Sequence, residues 1–145
     1  MSRFVVDASV AIKWVVAEPG SGDASLLRRA QALIAPDLIV AELANILWKK
    51  VTRGELPVDQ ALLAADLLER SGLDLRGMGR LLASATRLAV ALGHPAYDCV
   101  YLALAMEEGC PFVTADEKLI RRLASATTVT VSALSIREAA LLVGR

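Results

Sequence analysis

Phe4-Val5-Val6-Asp7-Ala8-Ser9 passes from strand-favouring apolar residues to an acid and then to small residues that suit the start of a helix. The reading is a short buried strand turning directly into a helix over Ala8–Val16, which stops ahead of Pro19-Gly20. The same alternation recurs downstream. Leu33-Ile34-Ala35-Pro36 predicts a strand, and Asp37 then caps a helix reaching about Arg53 before Gly54. Phe112-Val113-Thr114 predicts another strand, followed by a helix from Glu117 to about Ala124. Thr128-Val129-Thr130-Val131 predicts the last strand, and Ile136 to Leu142 the last helix. Between these lie expected helices from Asp23 to Leu33, Val58 to Arg70, Arg80 to Leu92 closed by Gly93, and His94-Pro95 to Glu108. Leu73-Asp74-Leu75 is a weak strand candidate. Short strands alternating with helices indicate an α/β fold with a parallel sheet.

The chain has 145 residues, 55% of them hydrophobic and only 4% aromatic, so one domain over 1–145 with an Ala/Leu/Val/Ile core is expected. Cys99 and Cys110 are too few for a disulfide framework and read as reduced thiols, which favours the cytoplasm. The start lacks the pattern of a secretory signal, and no segment reaches the apolar length of a membrane span. Sixteen basic residues balance sixteen acidic ones, which argues against a strongly basic nucleic-acid binder. If four acids converge on a cation, twelve remain against sixteen bases, and a basic rim around an acidic centre suits a polyanionic substrate.

Those four acids are Asp7, Glu42, Asp98 and Asp116. Buried carboxylates need a counter-charge or a metal, and no lysine or arginine stands within four positions of Glu42 or Asp98. Asp7 also suits the N-cap of its helix, and Ser9 either a first-turn hydroxyl or a group orienting Asp7. Glu42 interrupts an apolar stripe, because Leu38, Ile39 and Ile46 are its helical neighbours. Asp98 suits a helix first turn, but the helix it begins has almost no polar face. Asp116 lies within Thr114-Ala115-Asp116-Glu117, which matches a capping box with Thr114 as cap and Glu117 as reciprocal partner. Glu117 is then a possible further acid. Asp7 and Asp116 each follow a strand, and would share the carboxyl edge of the sheet where ligands gather.

Other signals are weaker. His94 is the only histidine, which leaves little support for histidine-ligated zinc or a Ser-His-Asp triad and favours a structural or surface role. Glycine-rich phosphate loops are absent from the sequence. Lys49-Lys50-Arg53 and Lys118-Arg121-Arg122 suit solvated helix faces or phosphate contacts, and Trp14 and Trp48 suit packing. Hard oxygen donors favour Mg²⁺ or Mn²⁺ over zinc and point to metal-assisted hydrolysis of a phosphodiester.

In series, Val5-Val6-Asp7-Ala8-Ser9, Pro36 to Asn45, Tyr97 to Ala105 and Phe112 to Leu119 resemble the PIN-domain family, specifically its VapC-type toxins. The resemblance implies a three-layer α/β/α fold with a short-stranded parallel sheet. It also implies an acidic quartet of Asp7, Glu42, Asp98 and Asp116 binding Mg²⁺ or Mn²⁺, supported by Ser9 and Thr114. It further implies endonucleolytic cleavage of RNA, homodimers, and inhibition by a cognate antitoxin. Three other readings compete. A DNA or structure-specific nuclease of the same fold shares the chemistry. A catalytically silent binding module would use the Ala/Leu-rich helices. A phospho-acceptor domain would need paired acids after the first strand, where Asp7 stands alone.

Overall fold

Five strands and eight α-helices alternate along residues 2–144, the part of the chain described by this computed structural model. The order is β1 (Arg3–Val6), α1 (Ala8–Ala11), α2 (Ser21–Leu26), β2 (Ala32–Pro36), α3 (Leu38–Thr52), α4 (Val58–Glu69) and β3 (Asp74–Arg76). Then follow α5 (Leu82–Leu92), α6 (Ala96–Glu108), β4 (Phe112–Val113), α7 (Glu117–Ser125), β5 (Ala133–Leu134) and α8 (Ile136–Val143). All pairings are parallel and the sheet order is β3-β2-β1-β4-β5.

Side-chain alternation along β1 and β4 divides the core into two layers. Phe4, Val6 and Val113 pack with Ala24 and Leu27 after β1 and with Ile136 and Ala139 of α8. Val5, Ile34 and Phe112 point to the opposite face, where Leu102 and Leu104 of α6, Ile39 of α3 and Leu119 of α7 cover them. The sheet is therefore a filled middle layer of an α/β/α sandwich. Helix α6 is its central helix, with Cys99, Tyr101 and Leu102 to Ala105 all buried. Among the described residues no single helix is long and apolar enough to cross a membrane.

The chain leaves β1 toward β2 on one side, and β4 later inserts on the other side of β1. That reversal makes a topological switch point, where the loops after β1 and β4 diverge and open a crevice. Asp7 follows β1 directly, and Thr114 follows β4.

The structure corrects several local expectations. The first helix runs only over Ala8–Ala11 and tightens into a single 3₁₀ turn, Ile12–Trp14. The second begins at Ser21 and ends in a 3₁₀ turn, Leu27–Arg29, so Leu33 belongs wholly to β2. Asp37 stands at the α3 N-cap, but its side chain makes no capping bond. The last strand is Ala133–Leu134, not Thr128–Val131: Val129 and Val131 do turn into the core, while the backbone partners of β4 are Ser132 and Leu134. Trp48 is 61% exposed and contributes nothing to the core.

A candidate carboxylate site at the sheet switch point

Asp7 is buried at the end of β1, with an extended backbone that lets its side chain fold over the first turn of α1. Its Oδ1 accepts from the Val10 amide (3.3 Å) and the Ser9 hydroxyl, and its Oδ2 from the Thr114 hydroxyl (2.6 Å). Capping and site formation are thus one arrangement. Burial raises the Asp7 carboxyl from the ordinary 3.8 to about 6, against the lowering effect of Ser9 and Thr114 and with a further upward push from the charge of Asp98.

Thr114 is fully buried and does not serve α7 as an N-cap. Its hydroxyl is committed to Asp7, and it accepts from the Asp116 amide (3.1 Å). Asp116 is the cap instead, taking the Leu119 amide on Oδ1 (3.1 Å). Ser9 ties the two loops together, because its oxygen also accepts from the Ala115 amide (3.0 Å).

Glu42 projects from the exposed flank of α3, half-buried, and accepts from the Tyr101 hydroxyl. Burial raises its pKa, the Tyr101 bond lowers it, and Asp98 raises it again. The Tyr101 hydroxyl is pushed far above its ordinary value by burial and by Glu42. Tyr101 stands one turn after Asp98 on α6 and is a site residue that sequence reasoning misses; its place three residues after Asp98, within the apolar run of that helix, is the available signal.

Asp98 meets His94 one turn earlier, Nε2 to Oδ2 at 2.6 Å. His94 is therefore neither a remote structural residue nor a free surface group. Arg122 of α7 donates to the Gly93 carbonyl (3.2 Å) and lies 3.3 Å from the His94 Nδ1. A guanidinium can only donate, so Nδ1 accepts and the Nε2–H donates to Asp98. Arg122 thereby selects the tautomer that holds Asp98.

Asp7, Glu42, Asp98 and Asp116 line one cavity of about 330 Å³, together with Ser9, Asn45 and Thr114. Glu117 does not join them: it lines a separate hollow beyond Thr114, beside Lys13 and Arg137. Among the described residues no three His, Cys, Asp or Glu side chains converge tightly enough to form a finished metal cage. The donor chemistry nonetheless fits a hard divalent cation, since every polar side-chain type facing the cavity offers oxygen. Glu42, Asp98 and Asp116 each have one carboxylate oxygen occupied by a hydrogen bond and the other open. Like charges crowd here, as the upward pushes on Asp7 and Glu42 by Asp98 record, and a cation would relieve them.

The model of the PIN domain matches residues 4–126, from β1 to the end of α7, and so takes in all four carboxylates. The chain belongs to the PIN-domain family. This PIN domain is 33% identical over 132 residues to ribonuclease VapC3 of Pyrobaculum aerophilum, covering 87% of this chain and 98% of that protein. The crystal structure of PAE2754 from the same organism superposes with a TM-score of 0.75 at 20% identity, over 99% of this chain and 90% of that one. VapBC2 from Rickettsia felis, in a crystal structure with a DNA fragment from their promoter, gives a TM-score of 0.66 at 13% identity. That match spans 92% of this chain and 98% of the other. The two structural likenesses bear on the fold alone.

Proposed function

We propose that this PIN domain is a metal-dependent endoribonuclease and the toxin of a toxin–antitoxin pair. The observation that carries this reading is the gathering of four carboxylates, from four separate elements, in one cavity at the switch point of the sheet. The relationship to ribonuclease VapC3 supports RNA as the substrate, and the VapC-type motifs of the sequence make a cognate antitoxin the expected partner.

Asp7, Glu42, Asp98 and Asp116 would hold Mg²⁺ or Mn²⁺, which supplies a water activated for attack on phosphorus and stabilises charge on the departing oxygen. Asp7 must be ionised to act as a ligand. Ser9 and Thr114 fix both of its oxygens, so it presents lone pairs in one orientation. Tyr101 holds one oxygen of Glu42 and His94 one oxygen of Asp98, which leaves the second oxygen of each, in a residue that lines the cavity, available to a cation. Asn45 lines the same cavity and offers an amide donor to a phosphate oxygen.

A protein partner and a second copy of the chain both have apolar surface available. Leu62, Leu63 and Leu67 of α4, with Val40 of α3, stand exposed on one flank, and Leu82 and Val90 of α5 on another. We assign homodimerisation and antitoxin binding to such surfaces.

Incubating the purified protein with a mixed pool of structured RNAs tests the activity. Discrete cuts are expected with Mg²⁺ or Mn²⁺, and none with chelator or in Asp98→Asn made identically. Cutting that persists in chelator, or that survives Asp98→Asn, would refute the proposal.

A further inference from the structure

Helix α3 carries more than Glu42. Glu42, Asn45, Lys49 and Arg53 stand at i, i+3, i+7 and i+11, a spacing that keeps all four on one face. At 1.5 Å rise per residue, Lys49 lies about 10 Å along the helix from Glu42 and Arg53 about 6 Å further. The face runs from acid to base. Glu42 and Asn45 line the carboxylate cavity, while Lys49 and Arg53 line a second hollow with Lys13, Glu18, Lys50 and Glu55. The two hollows adjoin, sharing Ser9 and Ile46 in their walls.

The second hollow holds four cations against two carboxylates. Its floor is built rather than merely solvated: the Lys13 and Lys50 side chains are 13% and 16% exposed, and both ammonium groups share the Glu18 carboxylate at 3.1 and 2.7 Å. Glu55 lies 4.0 Å from the Lys50 ammonium as well, so the two floor lysines are matched by two carboxylates and the surplus of the hollow rests with Lys49 and Arg53. Lys49 and Arg53 are exposed above this floor, and among the described residues neither has an ion-pair partner. Such a surplus of directed cations beside an acidic centre calls for an anion held at a set distance from the reacting one.

We propose that the Lys13–Lys49–Lys50–Arg53 hollow is a phosphate subsite, which grips the backbone of a single-stranded polynucleotide beside the bond held over Asp7 and Asp98. The inference rests on the nuclease reading and adds the path of the strand: out of the carboxylate cavity past Ser9 and Ile46, then along α3 toward its C-terminus. Contacts there go to phosphate, so they hold register without reading sequence. Lys49 and Arg53 supply the exchangeable contacts. The Lys13–Glu18–Lys50–Glu55 cluster fixes the floor beneath them.

The test uses the full chain with chelator present, so that a short fluorescein-labelled single-stranded RNA is bound without being cut. Anisotropy over a series of salt concentrations is compared among the parent, Lys49→Gln/Arg53→Gln, and the charge-matched control Arg29→Gln/Arg87→Gln, whose positions line neither hollow. Removing two cations that each neutralise a phosphate should lower the log–log salt slope by about 1.4, at about 0.7 per phosphate for a single strand. In metal, the same variant should raise KM with kcat retained, while the control matches the parent. A double variant that binds like the control, or that loses kcat alone, would overturn the subsite while leaving the nuclease intact. A parent that neither binds nor cuts RNA would overturn both.

Discussion

Asp7→Asn is expected to yield a protein that no longer cuts RNA and yet unfolds later than its parent at neutral and alkaline pH. The loss follows from removing a charged oxygen ligand and should be at least about 100-fold, since even residues that only support a metal ligand cost about 10- to 100-fold. The stability gain follows from burial. The folded Asp7 carboxyl titrates at about 6 against an ordinary 3.8. A raised folded value contributes stability that is complete below the unfolded value and is lost as pH rises through the folded one. Above both, an ionised, buried carboxylate weighs on the fold by about 1–3 kcal/mol. Asparagine keeps an acceptor for Ser9 and Val10, and its amide can donate to the Thr114 oxygen. Urea unfolding of parent and variant at about pH 4 and about pH 7.5 should show the two close at the acid end and the variant ahead at the other. Equal stabilities at both would remove the burial argument. Mn²⁺ binding by the parent should tighten as pH rises through about 6, because the buried Asp7 must lose its proton before it can act as a ligand.

The second large effect belongs to the scaffold. Phe112 is fully buried, and its ring lies 5.9 Å from that of Tyr101 at a 41° tilt. It occupies half of a two-residue strand and pairs with Val5 on one side and Ala133 on the other. Phe112→Ala would open a cavity under the one segment that carries Thr114 to Asp7, at a cost of about 3–5 kcal/mol. A domain of this size has a total of only about 5–15 kcal/mol to lose. The denaturation midpoint should fall steeply with an unchanged m value, whereas a cost below about 1 kcal/mol would mean that β4 is not the packed centre assigned to it.

Much of this arrangement is legible in local pattern. Apolar runs ending in acid locate β1 and the end of β4, and the helices α3 to α6 announce themselves through periodicity, proline starts and glycine stops. What escapes local reading is decided by partners far along the chain. Thr114 and Glu117 form a convincing capping-box pattern, yet the Thr114 hydroxyl is taken by Asp7, 107 residues away, and the cap passes to Asp116. The box that does form is Ser135 with Glu138 at α8. Val129 and Val131 have strand propensity and do pack inward, but β4 finds its backbone partners a few residues later. Propensity records how a side chain fits a pleated surface, not which backbone it meets. A lone histidine rarely implies a site, and the i, i+4 relation of His94 to Asp98 is the only local sign that this one does. Its role depends on Arg122, which α7 brings across from a distant part of the chain.

A divalent cation among the four carboxylates is what the chemistry turns on, and Mn²⁺ titration by calorimetry at about pH 7.5 tests for it most directly, free of any choice of RNA. Saturable binding is predicted for the parent, weakened by about 100-fold or more in both Asp7→Asn and Asp98→Asn, each still folded. A parent that takes up no Mn²⁺, or an Asp98→Asn variant that binds it as tightly as the parent, would contradict the assignment of this carboxylate cavity.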